Sequence, residues 1–321
     1  MNSASASSVA GPDAAHDHAA ADRAAALRRG FAYGALGVAL FALTIPMTRL
    51  ASGSLAAPQL SPWFVAFGRA ALAGALALLY LLAVRAPKPS ASQWRGLALT
   101  AVGVVFGFPV FMGLAVQRVD AVHASVVTGI LPLVTAVLGA WLLGQRQRAP
   151  FWWCAGLGLA LVLGFAWWRG GAAPQLADGL LALALLLGAY GYVCGARLSA
   201  SMRSEHVISW LLVLSLPLTL PLAWWTQPDQ PVQAASWIGF AYVSLFSMWI
   251  GFFAWYRGLA LGGTVRVSQV QLLQPFLSIL AAVPILGERV DAATCVFLLA
   301  VMAVVFASRR VAIGAPVSKG S

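Results

Sequence analysis

Residues Gly258–Arg289 read GLALGGTVRVSQVQLLQPFLSILAAVPILGER, and residues Gly113–Arg146 read GLAVQRVDAVHASVVTGILPLVTAVLGAWLLGQR. Both stretches open with Gly-Leu-Ala, carry a serine seven residues before a proline, and end in Gly-Glu-Arg or Gly-Gln-Arg. Their prolines, Pro132 and Pro275, lie 143 residues apart, which is nearly half of the 321-residue chain. A repeat with so long a period indicates two fused structural units rather than an array of short repeats.

The composition is that of a membrane protein. Hydrophobic residues make up 61% of the chain and charged residues only 9%, whereas a soluble domain carries about 25% charged residues. We therefore predict an all-α integral membrane protein. Intervals without charge mark ten helices, each close to the length of about 20 residues that crosses the hydrocarbon. The predicted helices cover residues 30–50, 60–84, 94–116, 121–143, 151–169, 178–198, 207–226, 236–260, 264–286 and 291–308.

Ten helices divide into five per repeat. Because five is an odd number, the second repeat must have the opposite orientation in the membrane, as in transporters with inverted-topology repeats. The first repeat is predicted at residues 30–169 and the second at 178–308. Residues 1–29 are rich in Ala, Ser and Asp without an apolar period, so we expect a disordered cytoplasmic tail there. Residues 309–321 form the second predicted tail.

Basic residues predict the orientation, because cytoplasmic loops carry an excess of Lys and Arg. With both termini in the cytoplasm, fifteen basic residues fall on the inner side and four on the outer side. The outer four are Arg49, Arg118, Arg169 and Arg289. The net charge of +11 is explained by this asymmetry, and nucleic acid is not expected as a partner.

The predicted ninth helix carries a stripe of polar side chains. Thr264, Ser268, Gln271, Gln274 and Ser278 fall within an arc of about 120° at 100° per residue. Polar groups in the hydrocarbon cost free energy, so this stripe must face other helices or a wet cavity. Hydrogen bonding between helices is one explanation, and a face that lines the substrate path is the other.

Prolines interrupt the fourth and ninth predicted helices at corresponding positions. Pro132 follows Ser125 and Thr128, and Pro275 directly follows Gln274. Each proline removes a backbone donor and frees a carbonyl about one turn earlier. Paired breaks in two halves of a membrane protein point to a transport site, although membrane helices also tolerate proline where neighbours satisfy the backbone.

Several further residues are candidates for function. Arg69 lies well inside a predicted span, where it either reaches back to the interface or attracts an anionic group such as a carboxylate. His123 and Asp120, near the outer start of the fourth helix, either titrate in a proton-coupled cycle or are simply solvated. The aromatic candidates for a cavity wall, with packing as the alternative, are Tyr190, Tyr192, Trp255 and Tyr256. Glu288 is expected to cap a turn or to form an ion pair.

Motifs of catalysis and of cofactor binding are missing from the sequence. HExxH, GxSxG, the Walker loop and paired intramembrane aspartates do not occur. The three cysteines have neither CxxC nor Cys/His spacing, so neither a metal nor a cofactor is expected. We therefore expect no enzyme, and any pumping must use a solute or ion gradient.

The duplicated helix pair resembles the EamA domain of the drug/metabolite transporter superfamily. The resemblance rests on LLGQR at Leu142–Arg146, ILGER at Ile285–Arg289 and the proline inside each preceding helix. Arg69 stands where that family often has an arginine in its second helix, and Gln145 stands where it usually has glutamate. The resemblance implies ten helices in an inverted five-plus-five arrangement around a central cavity. It also implies export or exchange of amino acids and other small metabolites.

These observations predict a secondary transporter, an exporter or exchanger, of a small polar metabolite such as an amino acid. It would work by alternating access in a bacterial inner membrane, with the lipid bilayer as its surroundings. A channel or facilitator for small solutes is the main alternative, and an intramembrane enzyme is a further one. Assembly into a homodimer is left open.

Overall fold

Helices form nearly all of the described structure. This computed structural model describes residues 12–142, 149–169, 175–199, 201–262 and 268–313. Eight helices are long and apolar enough to cross a membrane, and two shorter apolar helices follow them. In chain order, we number them α1 (Pro12–Ala42 with Thr44–Ser52), α2 (Pro62–Ala83), α3 (Ala91–Ala101, Val102–Gly107 and Phe108–Val116), α4 (Ala121–Thr128 with Leu131–Leu142), α5 (Ala149–Arg169), α6 (Leu176–Leu198), α7 (Ser204–Trp225), α8 (Ala234–Tyr242, Val243–Ile250 and Gly251–Gly262), α9 (Ser268–Leu273 with Gln274–Leu286) and α10 (Ala292–Ile313). The prediction of an all-helical membrane protein is confirmed.

Local sequence signals set several helix ends. Ser61 caps α2 by accepting a hydrogen bond from the Phe64 amide at 3.0 Å, with Pro62 at the first helical position, where its missing N–H costs nothing. Ser90 and Gln93 form a capping box at the start of α3. At the end of α9, Gly287 takes a φ of 68°, a left-handed conformation that glycine adopts without steric cost.

Helix α1 begins earlier than the composition predicts. It starts at Pro12, inside the segment 1–29 that we expect from the sequence to be disordered. Alanine is abundant between Pro12 and Ala26, and alanine has the highest intrinsic helix propensity. The helix therefore continues from the apolar span toward the N-terminus, and the remaining parts of both predicted tails lie outside the described residues.

Contacts between loops define two ends of the helix bundle. At one end, the side-chain amide of Gln117 donates to the Ser52 carbonyl at 3.1 Å, and the backbone N–H of Gln233 donates to Gln59 Oε1 at 3.0 Å. At the opposite end, the Trp210 indole donates to the Pro87 carbonyl at 3.1 Å. Successive helices therefore run antiparallel. Residues 287–291 lie at the same end as Gln117, next to the start of α4, and we call this end the Glu288 end.

The main packing contacts join the first five helices to the last five. Helix α1 packs along α8, α2 along α7, α3 along α6 and α5 along α10. Two of these pairs approach closely at glycines. A Cβ atom on Gly258 would lie 2.6 Å from the backbone nitrogen of Gly34, and one on Gly103 would lie 2.2 Å from the Leu187 carbonyl. Only glycine fits at these crossings, so the small residues of both halves fix how closely the halves pack.

Helical irregularities recur in both halves. Helix α3 contains a π-helical stretch at Val102–Gly107, and α8 contains one at Val243–Ile250. Helix α4 is interrupted after Thr128 and resumes at Leu131, just before Pro132. Helix α9 is 3₁₀-helical over Ser268–Leu273 and becomes α-helical only at Gln274, just before Pro275.

The outer faces of the bundle are strongly apolar. Large hydrophobic side chains are exposed along α2, α5, α7 and α10. Tryptophans near helix ends are among the most exposed, as the aromatic belts at membrane interfaces require. They include Trp141, Trp153, Trp224 and Trp225. This surface suits a lipid bilayer and would be unstable in water.

Candidate substrate cavity

A narrow cavity lies inside the bundle, between residues of the irregular helices. Its volume is about 50 Å³, which holds a few water molecules. Helices α1, α2, α3 and α4 of the first half line it together with α6, α8 and α9 of the second half. The cavity is thus built by both halves at the proline breaks and the π-helical stretches.

Arg69 brings a positive charge to this cavity. It lies on α2, and only 4% of its surface is exposed. Its Nη2 donates to Ser247 Oγ at 3.0 Å, and Ser247 in turn shares a 2.7 Å hydrogen bond with Thr44. The Nε of Arg69 has no hydrogen-bond partner, and within the described ranges no carboxylate forms an ion pair with this residue. The cavity therefore contains a buried cation with an unused donor.

Gln271 and Gln274 both line the cavity, next to Pro275 and Ser278. The two side chains are three residues apart, and residues at this spacing are neighbours on one face of a helix. The side chain of Ser268 and all of Thr264 lie outside the described residues. Amide groups from α9 thus give the cavity uncharged donors and acceptors.

The fourth helix contributes the corresponding segment of the first half. Thr128, Gly129 and Pro132 line the cavity. Ser125 lies behind this wall, fully buried. Its hydroxyl donates to the Ala121 carbonyl at 2.6 Å and lies 2.9 Å from the hydroxyl of Ser278 on α9. The structure therefore brings the two proline-broken helices together at one cavity.

Three of the four aromatic candidates lie outside the lining, among them Tyr256, whose ring packs against Phe252 with 5.4 Å between the centroids. Tyr190 is half-buried on α6 outside the lining, which receives Tyr192 from that helix instead. Trp255 packs against Phe41, with 6.5 Å between the ring centroids, in the contact between α1 and α8.

The polar lining also includes residues that the sequence did not single out. They are Thr44 and Ser247, which hold Arg69 in place. A lone serine or threonine in an apolar span usually bonds to its own helix, so nothing in the sequence distinguishes these two from the others.

A pair formed by a buried histidine and a partly buried aspartate lies near the Glu288 end. His123 Nε2 is 2.9 Å from Asp178 Oδ1, and the imidazole ring lies 5.1 Å from the Phe165 ring. Asp120 is more than half exposed and faces Arg169 at 3.8 Å. Asp178 was not singled out from the sequence, where it looks like an ordinary acidic residue in the first turn of a helix.

Glu288 connects the two halves at the same end. Its carboxylate accepts hydrogen bonds from the backbone amides of Ala121 and Val122, each at 2.8 Å. These amides belong to the first turn of α4, where backbone donors have no partner inside the helix. Partial burial raises the pKa of the Glu288 carboxyl, while the two N–H donors oppose this shift. The residue therefore caps a helix, as expected, but a helix of the other half.

The fold and cavity define a class: a multi-pass helical membrane protein with an interior cavity that both halves line and that contains a few polar side chains. Within this class, the chain belongs to the EamA-like transporter family, whose model matches residues 28–168 and again residues 175–309. The predicted family membership is confirmed. No group of three or more potential metal ligands occurs within the described part of the chain.

Two curated relatives are also named as transporters. The chain is 44% identical over 285 residues to the uncharacterized transporter YdeK of Bacillus subtilis, which covers 88% of this chain and 98% of YdeK. It is 25% identical over 255 residues to the uncharacterized transporter sll0355 of Synechocystis, covering 72% of this chain and 76% of the relative. A solved crystal structure matches with a TM-score of 0.60 at 19% identity, over 88% of this chain and 97% of that chain. This last likeness concerns the fold alone.

Proposed function

We propose that this protein is a secondary transporter, an exporter or exchanger, of a small polar metabolite such as an amino acid. The observation that carries this proposal is the cavity that both halves line, with the buried Arg69 on one side and Gln271 and Gln274 on another. Polar groups at this depth cost free energy and need a function to retain them. The transporter names of the family and its relatives support the same proposal.

We further propose ten transmembrane helices arranged as two inverted five-helix repeats, residues 30–169 and 178–308. Exchanging the halves turns the pair α1–α8 into the pair α6–α3, and both pairs are present. The third helix of each half contains a π-helical stretch, and the fourth helix of each half is irregular before its proline. Duplication of one structural unit explains this correspondence better than chance does.

Alternating access would use α4 and α9 as moving elements. Toward the Glu288 end, these helices are joined by the Glu288 cap and by the contact between Ser125 and Ser278. Beyond their breaks they pack on other partners, α4 on α6 and α9 on α1. We propose that this conformation is closed at the Glu288 end, and that opening there requires both contacts to separate.

A carrier and a channel give different results in a counterflow experiment. Proteoliposomes would be loaded with a mixture of unlabelled amino acids at high concentration and diluted into trace labelled amino acids. A carrier transiently accumulates label above equilibrium, because internal solute returns the binding site to the outside. Equilibration without overshoot would favour a channel, and no movement of any label would contradict the proposed substrates.

The orientation is a separate prediction. In a variant without native cysteines, Ser3→Cys and Lys319→Cys should resist an impermeant thiol reagent in intact cells, whereas Asp229→Cys should react. The reason is the fifteen-to-four distribution of basic residues across the membrane. Labelling is measured before and after permeabilisation. Reaction at either terminus in intact cells would reverse the proposed topology.

Proton coupling is proposed at His123, with Asp178 as its direct partner and Asp120 as an exposed neighbour. A proton shared between imidazole and carboxylate can be taken up and released in each cycle. Asp178→Asn removes the carboxylate partner of this imidazole and should therefore largely abolish the stimulation of transport by an imposed pH gradient. Counterflow without a gradient should continue. A full gradient response in Asp178→Asn would contradict coupling at this pair, and Cys295→Ser, at an exposed position, is the control.

A further inference from the structure

The charge of Arg69 has no counter-ion among the described residues of the cavity. Its guanidinium stays protonated at any physiological pH, and 4% exposure leaves it little contact with solvent. Its hydrogen-bonded neighbours, Ser247 directly and Thr44 behind it, are neutral hydroxyls. A buried charge with neutral partners and an unsatisfied Nε is costly. An anion in the cavity would remove that cost, and the planar guanidinium matches the geometry of a carboxylate.

The described lining of this cavity contains no acidic residue. The nine acidic residues of the chain are Asp13, Asp17, Asp22, Asp120, Asp178, Glu205, Asp229, Glu288 and Asp291. None of them is among the residues described as lining it. Asp178 is held by His123 and Glu288 by the start of α4. A ligand ammonium group would thus find no carboxylate in the described lining and would share the cavity with a fixed positive charge.

The rest of the lining is neutral. The polar part consists of Gln271, Gln274, Thr128 and Ser278, and the apolar part includes rings such as Phe108 and Phe252. Amides and hydroxyls can bind a hydroxyl, carbonyl or amide group of a ligand. The aromatic and aliphatic surface can pack against a short carbon skeleton. The cavity is therefore complementary to one negative charge attached to an uncharged body.

We propose that the ligand of this cavity is a small organic monocarboxylate with an uncharged body, such as a hydroxy acid, bound in preference to the corresponding amino acid or amine. This inference rests on the proposed transport function and narrows its substrate class. The carboxylate lies against Arg69, and the neutral polar part of the ligand lies against the two glutamines. Transport of such an anion without a co-transported cation moves net negative charge across the membrane.

Matched compounds test this preference. Each set shares one carbon skeleton and consists of an amino acid, its 2-hydroxy acid and its amine: alanine, lactate and ethylamine; leucine, 2-hydroxy-4-methylpentanoate and 3-methylbutylamine; phenylalanine, 3-phenyllactate and phenethylamine. Thermal stabilisation of the purified full-length protein reports binding of each compound by mass action. In at least one set, the hydroxy acid should bind about tenfold more tightly than the amino acid, because no like charge then faces Arg69. The amine should bind most weakly.

Variants separate this inference from the broader proposal. Arg69→Gln should abolish the preference for the hydroxy acid, whereas Leu273→Ala, at an exposed position of α9, should keep it. Tighter binding of amino acids or amines in every set, with counterflow of amino acids, would overturn the carboxylate preference and leave the transporter proposal standing. Absence of stabilisation by every carboxylate would also overturn the preference. Absence of counterflow with every compound of the nine would overturn the transporter proposal itself.

Discussion

Replacing Arg69 by glutamine is expected to abolish transport. Glutamine keeps a polar head near Ser247 but loses the charge and the planar fork that a carboxylate requires. Removing one partner of a buried ion pair costs about 3 kcal/mol, which corresponds to a roughly 100-fold loss of affinity. Transport is measured in proteoliposomes at matched protein content, with the counterflow of the wild type as reference.

The lysine variant provides the control for charge. Arg69→Lys keeps a positive charge without bidentate geometry, so it should retain partial transport. Thermal unfolding of all three proteins checks their folding, since Arg69→Gln removes a buried charge and should not destabilise the empty protein. Normal transport by both variants would show that Arg69 serves only the packing of α2 against α8.

Replacing Gln271 by leucine is expected to reduce transport by about tenfold or more. The substitution deletes a hydrogen-bonding amide from the cavity wall and leaves a polar ligand group unpaired, at a cost of about 1–3 kcal/mol. Leucine suits a membrane helix better than glutamine does, so the fold should be at least as stable. Uptake or efflux is therefore compared at equal abundance in the membrane.

Leu273→Ala is the matched control for Gln271→Leu. Leu273 lies two residues further along the same 3₁₀ stretch and is 54% exposed, outside the cavity lining. Its truncation should leave transport close to that of the wild type. If Gln271→Leu transports as well as this control, the polar stripe of α9 serves helix packing.

Much of the fold could be predicted from the sequence because a bilayer restricts the length and composition of the helices that cross it. Length and apolarity predicted an all-helical membrane protein, and the repeated stretch ending at Arg146 and Arg289 identified the family. The sequence predicts only some of the irregularities in the helix backbone. The prolines predict breaks in α4 and α9, but nothing in VGVVFG at Val102–Gly107 predicts a π-helical stretch. This stretch lies at the close crossing of α3 with α6, a contact between residues that are far apart in the sequence.

Some residues of the cavity could likewise be predicted from the sequence and others could not. A charge or an amide inside a span is unusual enough to be noticed, so Arg69, Gln271 and Gln274 could be named from the sequence. Hydrogen-bonded pairs of residues far apart in the sequence could not be predicted. Asp178 lies 55 residues from His123, and Ser247 lies 178 residues from Arg69. Serine is too common in membrane helices for any one of them to be selected without a structure.

The packing of each half against the other has a consequence for biosynthesis. A ribosome that has inserted residues 1–169 has produced α1, α2, α3 and α5 before their main partners α8, α7, α6 and α10 exist. At that stage the first turn of α4 also lacks the carboxylate of Glu288, which is 167 residues away from Ala121. We therefore expect the helices of the nascent first half to stay loosely associated in the membrane until the helices of the second half have been inserted.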